Sequence, residues 1–364
     1  MIKGMDISTL KEVEACGGKF YDQGEEKDLF KILKSYDVNS IRLRLWNDPY
    51  AEDGSPYGAG TNDLETTISL ARRVKQAEMG FLLDFHYSDF WTDPQKQKKP
   101  KAWAHFDLKE LKQAVFQYTK EVLQKLKKEQ IAPTMIQVGN EITHGFLWPE
   151  GKTPNYDNIA ALIRAGICAI REELPEVPVM LHLDNGGNNT LYRDWFDHYM
   201  ERGEDFDIIG LSYYPFWHGT LEDLQKNMND ISVRYHKDLI VAEVSMGYTM
   251  EDYNSYEKLS KEERKGMATR AEVAARAGYP MTVEGQCQFM QDFMKRIGNV
   301  PENRGKGFYY WEPAWIPVPG SGWATKASLE YINDAGPCGN EWANQALFDY
   351  KGNALKTLQV IRDF

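Results

Sequence analysis

Met135-Ile136-Gln137-Val138-Gly139-Asn140-Glu141 is an apolar run that ends on a carboxylate, and Leu239-Ile240-Val241-Ala242-Glu243 repeats the pattern further along the chain. Short runs this apolar read as strands buried on both faces, as in a parallel sheet. Working outward from them, eight such runs are expected: Ile2–Ile7, Ser40–Trp46, Phe81–His86, Thr134–Glu141, Val177–Asp184, Asp207–Tyr214, Leu239–Val244 and Gly307–Glu312. Helical patterns lie between them. Leu111, Val115, Tyr118, Val122 and Leu126 share one face of a helix over Leu108–Lys127, and Leu64, Ile68, Ala71 and Val74 do the same before the third strand. Strand, loop and helix repeated in this way favour an α/β fold, a (β/α)8 TIM barrel, over an open doubly wound sheet. The expectation is one catalytic barrel domain over residues 1–364, with a long loop between strands seven and eight, Gly247–Lys306.

Bulk properties narrow the function. A net charge of -11 argues against nucleic acid or an anionic membrane as partner. There is no apolar stretch long enough to span a membrane. No G-x-G-x-x-G or P-loop string follows a strand, so nucleotide binding lacks its signature. Cys16, Cys168, Cys287 and Cys338 are widely spaced and read as free thiols, with Cys168 on a buried helix face beside Leu162, Ala165 and Ala169. The first strand starts almost at Met1, which leads to the expectation of a cytoplasmic enzyme acting on imported oligosaccharides. The alternative is an exported enzyme whose leader has been removed. A monomer is expected.

Strand C-termini of a barrel converge on one mouth, where active sites sit. Those ends carry Arg42, Arg44, Asp84, His86, Asn140, Glu141, His182, Asp184, Tyr213, Tyr214, Glu243, Trp311 and Glu312. Two facing carboxylates with separated pKa values suit glycosidic bond cleavage, which assigns Glu141 as acid/base and Glu243 as nucleophile. Asn140 supplies a neutral amide for a sugar 2-hydroxyl. Arg42 and Arg44 share strand parity and point to one face. One of them is expected to hold the nucleophile, and the sequence does not choose between them. Asp84, His86 and Asp89 form a candidate sugar-hydroxyl clamp, as do His182 and Asp184. No ligand-spacing motif supports a catalytic metal. Trp91, Trp311 and Trp315, with Trp46, Trp103, Trp148, Trp217 and Trp323, fall mostly at strand ends or in the following loops, where indoles stack on sugar rings.

These strings resemble the endo-β-1,4-galactanases of glycoside hydrolase family 53. The resemblance is carried by Lys3-Gly4-Met5-Asp6-Ile7-Ser8, Asn39–Trp46, Asp84–Pro94, Gly139–Ile142, Leu147–Pro149, Leu181–Asp184, Ser212–Phe216, Tyr310–Trp315 and Asn344–Asp349, nearly the whole chain. It implies a retaining endo-hydrolase of β-1,4-galactan or galacto-oligosaccharides, the type I arabinogalactan of pectin, with no cofactor required. It implies Tyr214 as hydrogen-bond partner of the nucleophile and Trp311 as floor of the reacting subsite. Competing expectations are an endo-mannanase or endo-glucanase of the same clan, or a carbohydrate-binding barrel without catalysis. Similar bacterial enzymes carry a calcium loop after strand seven. Here Asn254 and Tyr256 replace harder ligands around Asp252, so a structural calcium is not expected.

Overall fold

A computed structural model describes residues 1–255 and 259–364. Eight parallel strands alternate with the helices that cover them. They are β1 (Ile2–Asp6), β2 (Ser40–Leu45), β3 (Gly80–Phe85), β4 (Met135–Val138), β5 (Val179–Leu183), β6 (Ile208–Tyr213), β7 (Asp238–Val244) and β8 (Gly305–Trp311). Each pairs with its sequence neighbours, and β1 pairs with both β8 and β2, which closes the barrel. The main covering helices are α1 (Leu29–Ser35), α2 (Leu64–Gln76), α3 (Leu108–Lys128), α4 (Tyr156–Glu173), α5 (Asn189–Met200), α6 (Leu221–Tyr235), α7 (Val283–Gly298) and α8 (Lys356–Asp363). The expected barrel is therefore observed.

Strand alternation sorts the interior into layers. Leu82, Met135, Met180, Ile208, Ile240 and Tyr309 fill the lower barrel. The next inward residue on several strands is polar and lies nearer the mouth: Arg42, Asp84, Gln137 and His182, with Ser212 one step beyond Gly210 on β6. The outward residues pack under the helices, so both strand faces are buried. Tyr213 is one of these. It stacks near Phe289 and Phe293 of α7, and its hydroxyl donates to the Gly219 carbonyl. It does not belong to the mouth, where the sequence reading had it.

Gly4 lets the Tyr309 ring cross β1 and reach Ser40, hydroxyl to hydroxyl at 2.8 Å. A Cβ on Gly4 would lie 2.3 Å from that ring and 2.8 Å from the Phe308 carbonyl. Gly4→Ala is expected to destabilise the barrel by about 1–3 kcal/mol through overpacking, read as a lower urea midpoint at unchanged slope.

Helix starts follow local chemistry. Asp107 and Glu110 form a reciprocal capping box at α3, and Asp63 caps α2 by accepting from the Thr66 amide. On α4 the buried stripe runs through Ile159, Ile163, Ile167 and Ile170. Cys168 follows Ile167 by about 100° of helical rotation and is exposed, which corrects its expected burial. All four cysteines are free thiols.

One irregularity positions the chemistry. Along the β6–β7 ladder Leu211 pairs with Val241, but the next residue, Ser212, pairs with Glu243. Ala242 is the extra residue of a β-bulge. It stays among the interior side chains, and the bulge turns Glu243 inward as well. Strict alternation would have sent Glu243 to the helix side.

The long β7–α7 connection is tied to the loop after β8 by protein groups. The Tyr253 hydroxyl donates to the Lys265 carbonyl at 2.6 Å and accepts the Asn340 amide at 2.8 Å. The Ala268 and Cys338 amides donate to the Glu341 and Glu262 carbonyls. Asp252 Oδ1 accepts both the backbone and the side-chain nitrogen of Asn254. Among the described residues no group of three His, Cys, Asp or Glu side chains is placed to hold a metal. Tyr256 lies outside the described residues.

Candidate active site

At the C-terminal mouth of the barrel lies a cleft of about 390 Å3, whose lining includes Glu141, Glu243, Asn140, Tyr214, Trp91 and Trp311. Glu141 follows β4 in a left-handed conformation, φ 48°, after Gly139 at φ 78°. This tight reversal lifts the carboxyl off the strand axis into the mouth, a local strain common at functional residues. Glu243 arrives from the β7 bulge. They are only 9% and 6% exposed.

Their partners differ, and this sets their acidities apart. Glu243 accepts Arg42 Nη1 at 2.9 Å on Oε1 and the Tyr214 hydroxyl at 2.8 Å on Oε2. Burial pushes its pKa up, while the Arg42 cation and the Tyr214 bond pull against that rise. Among the described residues the Glu141 carboxyl has a single neutral donor, Ser212 Oγ, at 2.6 Å. Burial and then the charges of Glu243 and Asp184 hold Glu141 well above the ordinary range. The cation sits on Glu243 and not on Glu141, so the arrangement favours the ionised form at Glu243 relative to Glu141. Tyr214 is also held well above its usual value, by burial and by Glu243, and stays a phenol donor.

Arg42 is the hub. It is fully buried and contacts Asp6 Oδ2 at 2.9 Å, Asp84 Oδ2 at 2.8 Å and Glu243. Burial opposes its charge, but these three carboxylates outweigh burial and raise its pKa. Arg42 is thus the arginine that holds Glu243. Arg44 instead pairs with Asp6 Oδ1 at 3.2 Å and Glu312 Oε1 at 2.7 Å, and its guanidinium lies 4.5 Å from the Trp91 ring centre.

The profile of glycosyl hydrolase family 53 matches residues 2–361. The chain belongs to glycosyl hydrolase family 53. It is 38% identical over 380 residues to an endo-beta-1,4-galactanase of Bacillus subtilis, covering 99% of this chain and 85% of that protein. It is 32% identical to an arabinogalactan endo-beta-1,4-galactanase of Humicola insolens, covering 98% of each chain. The solved catalytic domain of a family 53 protein from Ignisphaera aggregans superposes with a TM-score of 0.91 at 38% identity, over 99% of this chain and 95% of that one.

Within this family 53 chain the sequence-predicted residues separate by depth. Arg44, His86, Trp91, Asn140, Asp184, Tyr214, Trp311 and Trp315 join the two glutamates at the cleft. Asp84, Asp89 and His182 do not line it, which corrects their expected role as sugar ligands. Asp84 is spent on Arg42 and on His86 Nε2. Asp89 caps a turn, accepting the Asp48 and Lys101 amides. Both nitrogens of His182 are engaged below the floor, by Gln137 and Asn140 on one side and Ser212 on the other. His86 borders the cleft with its ring held by Trp46, Thr92 and Asp84. Asp184 accepts Thr143 Oγ1 at 2.5 Å and Asn185 Nδ2 at 2.6 Å. Burial raises its pKa against those two bonds.

Sequence reasoning missed Asp6, Gln137, Ser212 and Trp342. Trp342 packs 4.9 Å from Trp311, ring to ring, and extends the aromatic wall. Lys265 reaches the same cleft, paired with Glu341 at 2.9 Å and seated 3.7 Å from the Trp323 ring centre. A polar residue inside an apolar run, such as Gln137 or Ser212, was the available signal. The loop residues Lys265, Glu341 and Trp342 had none.

Proposed function

We propose that this chain hydrolyses internal β-1,4-galactosidic bonds of galactan, the backbone of type I arabinogalactan, with retention of anomeric configuration. The observation that carries the reading is the unequal support of the two carboxylates in one aromatic-lined cleft, in a chain of this family. Glu243 Oε2 or Oε1 attacks the anomeric carbon while Glu141 delivers its proton to the departing glycosidic oxygen. The C–O bond to the leaving sugar breaks, and a glycosyl ester with Glu243 forms. Esterification removes the negative charge that had raised Glu141. The acidity of Glu141 then increases, and its carboxylate takes a proton from the water that opens the ester. Trp91, Trp311, Trp315 and Trp342 offer apolar faces to the sugar rings, and Asn140 and Asp184 offer polar groups at the same cleft.

Reducing-end release from galactan, β-mannan and cellulose tests the substrate. Galactan is expected to be cut at least about 100-fold faster, because a site built to pair one set of hydroxyls leaves polar groups unpaired with another. Comparable rates on mannan would overturn the assignment.

No calcium is assigned to the β7–α7 connection. Asp252 Oδ1 accepts the backbone amide and the side-chain amide of Asn254, and the connection is held by Tyr253 and the loop after β8. A chelator is expected to leave the melting temperature within about 2 °C, whereas loss of a stabilising ion lowers it by more. The four free thiols fit a reducing compartment and the proposed cytoplasmic action on short galacto-oligosaccharides. Activity confined to long galactan would count against that location.

A further inference from the structure

We propose that Ser212, held by His182 and Gln137, determines which oxygen of Glu141 carries the catalytic proton. The proposal rests on the galactanase reading above and adds a positioning residue to it.

Arg42 has five N–H donors and serves both carboxylates. It reaches Glu243 directly. It reaches Glu141 through three side chains. Arg42 Nε donates to Gln137 Oε1 at 3.2 Å. With its oxygen held, Gln137 turns its amide nitrogen toward the Gly139 carbonyl at 3.0 Å and His182 Nδ1 at 3.1 Å. Gln137 Nε2 and His182 Nδ1 also lie 3.3 and 3.0 Å from Asn140 Oδ1, an oxygen that takes Arg42 Nη2 at 2.9 Å and has one further lone pair, which the Gln137 and His182 nitrogens share. If Nδ1 carried the imidazole proton, it would face the Gln137 N–H, donor against donor. With Nδ1 bare, the Gln137 hydrogen has an acceptor and Nε2–H is free to donate. Nε2 lies 2.9 Å from Ser212 Oγ, and Ser212 Oγ donates to Glu141 Oε1 at 2.6 Å. Every donor then points the same way, from cation to carboxyl, and such aligned chains polarise one another.

The consequence concerns Glu141. Its Oε1 is an acceptor whether the group is ionised or neutral, because the serine proton is always presented to it. The transferable proton is therefore confined to Oε2, on the carboxyl that lines the cleft. A carboxyl free to protonate on either oxygen would hold the proton on the wrong atom part of the time. The same Ser212 bond favours the ionised form needed for the second step. The charged and titratable groups around this chain are Glu243 on β7, Asp184 after β5, Asp93 after β3 and Tyr214 after β6 for Glu141, and Arg42, His86 and His218 for His182. Burial and the Arg42 charge keep His182 neutral, as a relay of fixed polarity requires.

The test compares galactan with 2,4-dinitrophenyl β-galactobioside, whose leaving group departs without protonation. Ser212→Ala is expected to lower kcat/KM on galactan by about tenfold or more and on the dinitrophenyl substrate by less than about twofold. The basic limb of the kcat/KM profile on galactan moves up by about half a pH unit, since a donor to the carboxylate is lost. Ser212→Thr, which keeps the hydroxyl, returns the limb toward its parent position. Equal losses on both substrates with an unmoved limb would overturn the proposal and leave Ser212 a packing residue. The 15N spectrum of histidine-labelled parent enzyme, with His182→Gln for assignment, reads the tautomer without relying on the serine variants. A neutral Nε2–H imidazole supports the relay, and an Nδ1–H tautomer or an imidazolium overturns it. A parent enzyme inactive on both substrates would fault the galactanase reading itself, while the tautomer would still decide the relay.

Discussion

Glu243→Gln abolishes turnover of galactan and of activated aryl galactosides alike, with kcat down by at least about 10,000-fold. The amide cannot form the glycosyl ester, so no leaving group, however good, restores the first step. Glu141→Ala behaves differently. Galactan turnover collapses by a comparable factor, but a dinitrophenyl substrate still releases a burst of phenol, because its departure needs no acid. The ester then persists, because no base activates water. Azide separates the two variants further. It attacks the stalled ester of Glu141→Ala to give the β-galactosyl azide, and it enters the vacated space of a Glu243→Ala variant to give the α-anomer. NMR of the products reads both outcomes. Identical azide anomers from the two variants, or inverted product from the parent enzyme, would contradict the double displacement.

Arg42→Met is expected to cost about 3–5 kcal/mol of stability, the range for breaking buried ion pairs by removing one partner. Methionine fills much of the volume but leaves Asp6, Asp84 and Glu243 facing one another without a cation. The melting temperature falls on the order of 5–15 °C. The deficit has a sign in pH. Burial already raises the folded pKa of Glu243 and Arg42 opposes that rise, so without Arg42 the variant regains stability as pH falls through the raised folded value of Glu243 and loses it as pH rises. Arg42→Lys keeps a charge but cannot reach Glu243, Asp84, Gln137 and Asn140 together, so it is expected to recover stability more than activity. A melting temperature within about 3 °C of the parent for Arg42→Met would mean that the hub is not the stabilising centre described.

Depth, more than direction, is what the sequence concealed. Glu141 and Glu243 were legible because each ends an apolar run, and strand ends meet at one mouth. Parity showed that Arg42 and Arg44 share a face, but register decides their roles. Asp6 pairs with Arg42, and Arg44 pairs with Asp84 one step nearer the mouth. The lower arginine reaches Glu243, and the guanidinium of the upper one lies near the Trp91 and Trp311 rings. Asp84 and His182 act as supports because of their partners: Asp84 is turned onto Arg42 and His86, and His182 onto Gln137, Asn140 and Ser212. Their polarity announced a site, but not which of them touches it. Gln137 and Ser212 were hidden by apolar neighbours. Trp342, Lys265 and Glu341 sit on loops without periodicity, where only tertiary contacts determine position. The barrel itself was readable because eight buried strands separated by amphipathic helices admit few other topologies.

Ala242 gives Glu243 an unusual genetic status. A carboxylate carried by a regular strand is lost by substitution, whereas one carried by a bulge can also be lost by length. Deleting the single codon for Ala242 would straighten β7 and rotate Glu243 out of the mouth into the layer beneath the helices, with every other cleft residue intact. Insertion of one residue at the corresponding place would do the reverse in a barrel that only binds sugar. The distance between a lectin-like barrel and a hydrolase, measured in mutational steps, is then one in-frame indel at a strand already tolerant of irregular pairing on both sides.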